Sequence, residues 1–361
     1  MGAGGSERVI SLLANRWVQG GGRVAIVTFE AVGQRPYYFI DPRIELFQLG
    51  IEPVPRPWWK ASTQTARRVY ALRRTFRRIC PDVVISFLTK TNVMSVLAAW
   101  RLGIPIIISE RNNPALQHFN KTWTLARSSI YPKAFGLVTI TRGALEYFPQ
   151  ELRKRAWVIP NMVDFPPMAR RRSTGRNLTA VGRLVDQKGF DLLIQAFAKI
   201  AADFPEWSLT IWGEGPERKD LEAMRDRLGL SARIQLPGVS SNPGEWTEKA
   251  DIFVLSSRYE GWGNVLLEAM ASGLPVVSYD CDWGPAEMIT DGLNGLLVPP
   301  GDVDALSRSL ARLMSDQELR NLLAKNAAEV SSAFSVERIS AQWCAVAEHA
   351  IASRQIDLRH A

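Results

Sequence analysis

The chain has 361 residues, of which 46% are hydrophobic and 22% are charged, a balance typical of folded domains rather than disordered segments. This length exceeds what one hydrophobic core usually organises, so two domains are expected. No apolar run approaches the ~20 residues of a membrane span, and the start lacks the apolar core of a signal peptide. Three scattered cysteines favour a reducing, cytoplasmic compartment and argue against a disulfide framework or a cysteine-based zinc site.

Charge is distributed unevenly along the chain. Residues 1–165 carry 23 Lys and Arg against 10 Asp and Glu, a balance of +13, whereas residues 166–361 carry 21 against 26, a balance of −5. The two halves are therefore expected to meet different partners. The basic half suits nucleic acid, anionic lipid or a phosphorylated substrate.

The first half begins with MGAGGSERVISLLANRWV, a Gly-rich turn that runs into a helix. In doubly wound domains such a turn follows the first strand, and here no strand precedes it. We therefore expect the upstream reading frame to encode roughly one further strand of apolar residues. Native protein that begins at Met1 by intact mass would contradict this expectation. The next buried strands are expected at RVAIVTF, DVVISFL, IPIIISE and GLVTIT.

In both halves short apolar runs alternate with helical patterns, which predicts parallel βαβ units. The strands expected in the second half are NLTAVG, SLTIWG, RIQLPG, DIFVLSS, LPVVSYD and NGLLVP. Asp191 is the expected start signal of the helix LLIQAFAKIAADF. A last helix is expected over about 336–352, and the Pro-rich, basic stretch 159–177 is the expected domain boundary.

The turn RYEGWGN joins the predicted strand DIFVLSS to the predicted helix NVLLEAMAS. Gly261 and Gly263 let the backbone approach a ligand closely, and the free N–H groups of a helix N-terminus favour a phosphate. Glu260 lies at the carboxyl end of the strand, where ligands collect in open parallel sheets. Glu268 lies about one turn inside the helix, where it can accept hydrogen bonds from a diol such as ribose. An isolated pair of such acids is more often a surface helix beside a flexible turn.

A second turn, in AVGRLVDQKGFDLLIQAF, carries two cations after the strand LTAVG. Arg183 has a planar guanidinium that can bind two oxygens at once, and Lys188 has a compact ammonium charge, a combination that fits a diphosphate. Gly189 comes just before the next predicted helix. Taken alone, these are also ordinary solvated loop charges. The stretch IQLPGV ends a further strand at a Gly, where backbone groups can grip a nucleobase.

Together these motifs resemble those of a known enzyme family. VGRLVDQKG, GEGPER, LPGV, SRYEGWGNVLLEAMASGLPVV and DGLNGLLVPPGD follow the order seen in family 4 retaining glycosyltransferases. The opening GAGGSERVISLLAN resembles that family's first Gly-rich loop and helix, and VIPNMVD resembles its interdomain linker. The resemblance covers nearly the whole chain and is most specific in the second half. It implies an α/β protein of the GT-B fold, with two Rossmann-like, doubly wound domains facing across a cleft and with the first N-terminal strand missing here.

The resemblance implies a division of the chain into four parts. Residues 1–160 form an N-terminal, acceptor-binding Rossmann-like domain, and residues 161–177 form the linker. Residues 178–335 form a C-terminal, nucleotide-sugar-binding Rossmann-like domain. Residues 336–361 form a C-terminal helix that packs back on the first domain.

The resemblance also implies roles for individual residues. Arg183 and Lys188 hold the nucleotide diphosphate and stabilise its charge as it leaves. Glu260 orients the hydroxyls of the donor sugar, and Glu268 binds the ribose. The other donor-binding residues that it implies are Gly182, Val239, Gly261, Trp262, Gly263, Asn264 and Val265.

The first domain departs from the family pattern. The acceptor or cleft residues implied there are Gly4, Gly5, Glu110 and Arg111. Many family members carry a His after the strand that reads IPIIISE here, whereas this chain continues with Glu110 and Arg111. No first-domain His role is therefore expected, and the nearby His118 is predicted to be structural.

The implied activity is transfer of a hexose or N-acetylhexosamine from a nucleoside-diphosphate sugar to a lipid-linked or polysaccharide acceptor, with retention of configuration. The stretches SERNNP and DCDWGP resemble bacterial surface-polysaccharide enzymes and favour a UDP-sugar. No cofactor and no metal are expected, although DCD at 280–282 resembles the metal-binding D-x-D of other glycosyltransferases. The alternatives are a hydrolase or epimerase of nucleotide sugars, and a basic nucleic-acid-binding protein, for which no docking motif is apparent. The sugar, acceptor, linkage and oligomeric state stay open.

The stretch TARRVYALRRTFRRI predicts an amphipathic helix. Its apolar face is formed by Val69, Leu72, Phe76 and Ile79. Its basic surface is formed by Arg67, Arg68, Arg73, Arg74, Arg77 and Arg78. Trp58 and Trp59 just before it suit a membrane interface. We expect peripheral attachment to the cytoplasmic face of a membrane, the alternative being a sheet-packing helix with a solvated basic side.

Overall fold

The computed structural model describes residues 2, 4–51, 58–117, 119–164, 176–240 and 244–360. His118, most of the predicted linker and the side chains of Trp58 and Trp59 lie outside the described residues. The chain divides into two compact units, Met1–Met162 with Val336–Ala361, and Val163–Ser335. Each unit consists of parallel strands and helices, which confirms the predicted α/β class.

The strand bounds are as follows. The strands are β1 (Ala25–Thr28), β2 (Glu45–Gln48), β3 (Val84–Phe87), β4 (Ile106–Glu110), β5 (Gly136–Thr139), β6 (Ala156–Val158), β7 (Arg176–Val181), β8 (Trp207–Trp212), β9 (Ile234–Gly238), β10 (Ile252–Leu255), β11 (Val276–Tyr279) and β12 (Leu296–Val298). The strands expected from sequence are present. The strands β2 and β6 were not expected: β2 reads ELFQ and has no continuous apolar run, and β6 has three residues only.

The helices connect and cover these strands. They are α1 (Gly5–Gln19), α2 (Trp58–Ile79), α3 (Thr89–Ala98), α4 (Lys121–Ile130), α5 (Arg142–Glu146), α6 (Gln150–Arg153), α7 (Phe190–Ile200), α8 (Arg218–Arg227), α9 (Glu245–Glu248), α10 (Asn264–Ala271), α11 (Pro285–Met288), α12 (Val303–Ser315), α13 (Gln317–Ala328), α14 (Val330–Ala333) and α15 (Val336–His360). Several begin at a side-chain cap: Asp302 accepts from the Ala305 N–H at 2.8 Å, and Asp316 accepts from the Leu319 N–H at 2.9 Å. Among the described residues, no helix is both long and apolar enough to cross a membrane.

The first unit contains two separate parallel sheets, β1-β2 and β3-β4-β5-β6. The core of the larger sheet is completed by α2 and α3, whose Leu72, Phe76 and Val93 are buried beside Ile108 and Leu137. The final helix α15 belongs to this unit; it runs past residue 352, the end expected from the sequence pattern, and lies within the 336–361 segment that the resemblance implied. It packs on α1 through a hydrogen bond from Trp17 Nε1 to Cys344 Sγ, and its Trp343 is fully buried near Phe87.

The second unit contains one six-stranded parallel sheet in the order β12-β11-β10-β7-β8-β9. From the central β7 the chain moves outward through β8 and β9, then crosses back to β10 and moves the other way through β11 and β12. The order therefore reverses between β7 and β10. The carboxyl ends of these two strands form a topological switch point, the place where ligands bind in open α/β sheets.

Candidate functional site

Two loops meet at the switch point of the second unit. One follows β7 and contains Arg183 and Lys188, and the other follows β10 and contains Glu260. The two loops pack directly against each other at Gly189. This residue has φ +58°, and a Cβ there would lie 2.1 Å from the carbonyl oxygen of Ser256. Both the left-handed backbone and the lack of room require glycine at this position.

Lys188 and Glu260 form an ion pair at the centre of this arrangement. Lys188 Nζ lies 2.6 Å from Glu260 Oε1, and the side chains are 15% and 6% exposed. Ser257 Oγ donates to the same carboxylate oxygen at 2.6 Å. The stem of Lys188 passes close to Gly182, where a Cβ would meet Lys188 Cε at 3.1 Å. Three predicted site residues, Gly182, Lys188 and Glu260, are thus brought together.

Arg183 differs from its neighbour Lys188. Its side chain is exposed and makes no hydrogen bond, ion pair or ring contact with any described residue. It lies five positions before Lys188 in the same loop after β7. The loop therefore presents one unpaired cation beside a paired one, which suits an anionic ligand that arrives from solvent.

Arg258 ties the two loops together, and the sequence analysis did not identify it. Its Nη1 donates to the carbonyl oxygen of Asp186 at 2.7 Å and to Asp191 Oδ1 at 2.8 Å, and its Nη2 donates to Asp191 Oδ2 at 2.7 Å. Its backbone N–H donates to the carbonyl oxygen of Gln187 at 2.8 Å. The Ser256 hydroxyl adds a bond to the carbonyl oxygen of Lys188 at 2.9 Å. The peptide of Lys188 is therefore fixed from the loop that carries Glu260.

The helix predicted after Asp191 is present but begins one residue before it. The helix α7 begins at Phe190 with Gly189 as its cap, and Asp191 lies in the first turn, where it holds Arg258. Partial burial pushes the pKa of the Asp191 carboxyl upward, but the hydrogen bonds and charge of Arg258 outweigh it, so that the pKa lies below its usual value. The same pair raises the pKa of Arg258. Both groups are therefore charged at neutral pH.

The helix α10 begins at this edge of the sheet. Gly263 caps it with φ +89°, and the chain continues through Asn264 and Val265 into its first turn. The N–H groups of Leu266 and Leu267 donate to the carbonyl oxygen of Gly263, so that the start of the helix faces this edge with its N-terminal end. Glu268 follows one turn later and is half-buried. The side chain of Trp262 is buried against Phe334 with ring centroids 5.3 Å apart. A contact of Trp262 with a donor would therefore come from its backbone.

The loops after β8 and β9 complete the edge. Val239, predicted to contact the donor, follows β9 and is 57% exposed. The Gly213 N–H donates to the carbonyl oxygen of Gly238 at 2.8 Å, and Arg218 donates to the carbonyl oxygens of Gly213 and Leu236. Arg218 therefore holds both loops in place and leaves Val239 facing solvent.

The residues predicted in the first unit have different surroundings. Gly4 caps α1 and Gly5 is its first residue. Glu110 ends β4 and is 1% exposed; it accepts hydrogen bonds from the hydroxyls of Tyr131 and Thr89, and burial raises its pKa. A contact of these residues with an acceptor stays a prediction.

Arg111 is also directed into the interior of the first unit. It donates to Asn161 Oδ1, and its guanidinium lies 5.7 Å from the ring centre of Phe87 and 5.9 Å from that of Trp343. Burial lowers the pKa of Arg111 to about 9. Its acceptor role likewise stays a prediction.

The DCD stretch follows β11. Asp280 and Asp282 are exposed, while Cys281 is buried, and burial raises the pKa of its thiol to about 12. Within the described ranges, no group of three or more His, Cys, Asp or Glu side chains is placed to hold a metal ion.

Comparison with known proteins gives two family matches. Residues 4–162 match the family described as glycosyl transferase 4-like domain, and residues 168–330 match the family described as glycosyl transferases group 1. Together they cover both structural units.

Individual proteins agree with these matches. An exopolysaccharide phosphotransferase of Streptomyces coelicolor is 35% identical over 80% of this chain, and the chain spans 30% of the length of that relative. A Campylobacter jejuni protein is 27% identical over 95% of this chain and 94% of its own length; its name describes an α-1,4-N-acetyl-D-galactosaminyltransferase that acts on an undecaprenol-linked glycan. The crystal structure of HepE from Anabaena in complex with UDP and glucose has a TM-score of 0.76 at 20% identity, and covers 94% of this chain and 95% of that one.

Proposed function

The chain belongs to the glycosyltransferases of the GT-B fold, and from that premise we propose that it moves a hexose or N-acetylhexosamine from a UDP-sugar to a lipid-linked or polysaccharide acceptor in bacterial surface-polysaccharide synthesis. We further propose that the configuration at the transferred carbon is retained. The arrangement that supports the proposal best is the buried Lys188–Glu260 pair at the switch point of the second unit, beside the unpaired Arg183.

The chemistry requires a cation that stabilises a leaving diphosphate. As the bond between sugar and diphosphate breaks, negative charge builds on the phosphate oxygens, and fixed positive groups lower the barrier. Arg183 and Lys188 supply this charge, and the first amides of α10 supply further N–H donors. The diphosphate competes with Glu260 for Lys188, which leaves the carboxylate able to accept hydrogen bonds from the sugar hydroxyls.

Glu260 is proposed as an orienting group rather than a nucleophile. Its carboxylate is held by Ser257 and Lys188 on the same oxygen, Oε1, so that the other oxygen is available to a sugar hydroxyl. Retention then follows from attack on the face that the diphosphate leaves. Trapping of a covalent glycosyl–Glu260 adduct would contradict this mechanism.

The first prediction concerns the nucleotide. We expect UDP to raise the melting temperature of the wild-type protein by several degrees, because a ligand at 100 times its Kd stabilises by about 2.7 kcal/mol. GDP and NAD are expected to have little effect. The variant Glu268→Ala, which removes the proposed ribose acceptor, is expected to lose the shift, whereas Glu318→Ala on the exposed surface of α13 is expected to keep it. Absence of any diphosphate effect in a cooperatively melting protein would contradict the donor site.

Transfer is distinguished from hydrolysis or epimerisation by its products. We expect the released sugar to appear on an added glycan acceptor, with little free or isomerised sugar when acceptor is present. Free sugar formed at the same rate with and without acceptor would favour a hydrolase of the same fold.

We also propose that α2 holds the protein on an anionic membrane surface. Of the six arginines expected to do so, Arg68 and Arg73 are engaged inside the unit. Arg68 donates to the carbonyl oxygen of Ile51, and Arg73 donates to the carbonyl oxygens of Ala98 and Trp100. The exposed members are Arg67, Arg74, Arg77 and Arg78. At about 1 kcal/mol per cation near anionic lipid, these four supply a reversible attachment of about 4 kcal/mol.

The second prediction tests this attachment. The double variant Arg67→Glu, Arg74→Glu is expected to bind vesicles of phosphatidylcholine and phosphatidylglycerol at least about 30-fold more weakly than wild type, since it loses about 2 kcal/mol of attraction from two cations and adds the repulsion of two carboxylates. Arg312→Glu, Lys325→Glu in the second unit makes the same change in net charge and is expected to bind nearly as wild type does. Wild-type flotation that ignores phosphatidylglycerol would count against the proposal.

A further inference from the structure

A cavity of about 450 Å³ opens in the first unit, at the end of the larger sheet where its strands begin. It is lined by residues that precede β4, β5 and β6 and by one turn of α15 near Ser353. Glu110, the predicted acceptor residue, lies at the other end of β4. The strand advances about 3.3 Å per residue, so the four steps from the beginning to the end of β4 span roughly 13 Å. The cavity is therefore distinct from the predicted acceptor residues.

The cavity is strongly positive. Its charged lining residues are Arg101, Lys133, Arg155 and Arg354, and among the residues that the structure describes no acidic side chain lines it. None of these four forms an ion pair with a described residue. Four uncompensated cations around one concavity create a local field that attracts an anion.

The four cations differ in what they contact. Arg155 donates to the carbonyl oxygens of Ala134 and Pro132 at 2.9 Å, and Arg354 donates to that of Pro81 at 3.1 Å, so both hold the wall in place. Lys133 Nζ lies 4.3 Å above the ring centre of Trp100.

Arg101 is exposed, and its side chain makes no hydrogen bond, ion pair or ring contact with the described part of the chain. Arg101 and Lys133 are therefore the two exposed lining cations that do not hold a backbone carbonyl and can engage a ligand.

The remaining lining decides the class of ligand. Most of the other lining residues are apolar, with Val96, Ile104 and Phe135 among them. Trp100 also lines the cavity and is 46% exposed. Ser353 is the one neutral polar side chain in the lining, and its hydroxyl donates to the carbonyl oxygen of His349 at 2.9 Å. No carboxylate or amide side chain is present to read the hydroxyls of a sugar or the edge of a base. The lining therefore fits an anion attached to an apolar group.

We propose that this cavity binds the phosphate and adjoining apolar part of an anionic phospholipid. The proposal extends the membrane attachment proposed for α2, and it does not depend on the transfer reaction. The two features are adjacent, because Arg73 of α2 donates to the carbonyl oxygen of Trp100 at 2.7 Å. The exposed arginines of α2 supply general attraction to the surface, while the cavity holds one lipid headgroup.

The test uses the full chain and a lipid that does not form vesicles. Dihexanoyl phosphatidylglycerol below its micelle concentration is expected to raise the melting temperature of wild type, and inorganic phosphate is not. Arg101→Glu, Lys133→Glu is expected to abolish the shift and to weaken binding to phosphatidylglycerol vesicles about 30-fold. Both changed residues are exposed, so a cooperative melt is expected to persist. Arg312→Glu, Lys325→Glu is expected to keep both the shift and the vesicle binding.

Three results would overturn the proposal. They are no shift with the soluble lipid, a shift of equal size with inorganic phosphate, and equal loss of lipid response in the cavity variant and the charge-matched control. The soluble lipid separates this site from α2, since Arg67→Glu, Arg74→Glu is expected to keep the shift while losing vesicle binding. The response to UDP, measured on the same samples, separates it from the donor site.

Discussion

Lys188→Met is expected to lower kcat/KM for sugar transfer by about 10²–10³-fold, the range typical for removal of one preorganised electrostatic donor. Two effects combine in this variant. The leaving diphosphate loses a fixed cation, and Glu260, only 6% exposed, loses the counterion that lies 2.6 Å away. The rate of transfer from a UDP-sugar is the measurement.

The chain offers a matched control for this variant. Lys199 and Asp304 form an ion pair of 2.8 Å in the same unit, but the side chains are 52% and 64% exposed. Because exposed pairs contribute little, Lys199→Met is expected to leave transfer nearly unchanged. Equal activity of Lys188→Met and Lys199→Met would contradict the proposed role of Lys188.

Stability separates the two effects of the Lys188 substitution. Removing one partner of a mostly buried pair leaves an uncompensated charge and is expected to cost about 3–5 kcal/mol of unfolding free energy. Glu260→Gln, Lys188→Met removes both charges, so its loss of stability is expected to be smaller than the sum of the two single losses. Its activity is nevertheless expected to stay low. Recovered stability without recovered activity would show that the rate effect of Lys188→Met is not a consequence of lost stability.

Arg258→Ala is the second variant for which a large effect is expected, about 10²-fold in kcat. The reason is positional, because the guanidinium of Arg258 joins Asp191 and Asp186 to the loop that carries Glu260. Without these bonds the two loops are expected to shift relative to each other, and a displacement of about 1 Å of a reacting group is enough for a loss of this size.

A series at this position distinguishes positioning from general destabilisation. Arg258→Lys keeps the charge but lacks the planar fork, so intermediate activity is expected. The loss is expected mainly in kcat, with KM for the donor changing less, because the cation at Lys188 remains. Arg176→Ala breaks an exposed pair with Glu206, 58% and 43% exposed, and serves as the control. Full transfer activity of Arg258→Ala would contradict the positioning role. A loss of activity that accompanies a lower melting temperature and disappears at low temperature would contradict it as well.

The sequence identified the parts of the proposed donor site that follow from topology. Lys188 and Glu260 are 72 residues apart, yet both follow apolar strands, and the carboxyl ends of parallel strands meet at one edge of the sheet. Gly189 and Gly263 were also identified. Both have a positive φ, which favours glycine, and at Gly189 a Cβ would also collide with the backbone of Ser256.

Contacts between side chains of distant loops could not be predicted in this way. Asp191 has the pattern of a helix start, and nothing local indicates that its carboxylate instead faces Arg258, 67 residues later. In α2 the six arginines look equivalent in sequence. Only the packing of α2 on the end of α3 separates Arg73, which donates to Ala98 and Trp100, from the exposed Arg74.

The first unit was harder to predict for a related reason. Its strand β2 reads ELFQ and is mostly half-buried, so it has neither a continuous apolar run nor a clear alternation. The cavity before β4 depends on three loops and α15, which lie far apart in sequence. Such features arise from tertiary packing rather than from any local pattern.

Calorimetric titration of UDP into wild type, Lys188→Met and Lys199→Met shows whether a nucleoside diphosphate binds at the Lys188–Glu260 pair. We expect saturable binding to wild type and to Lys199→Met, with at least about tenfold weaker binding to Lys188→Met, which corresponds to a loss of about 1.4 kcal/mol. Binding of equal strength to all three proteins, or no binding of UDP to wild type, would contradict it.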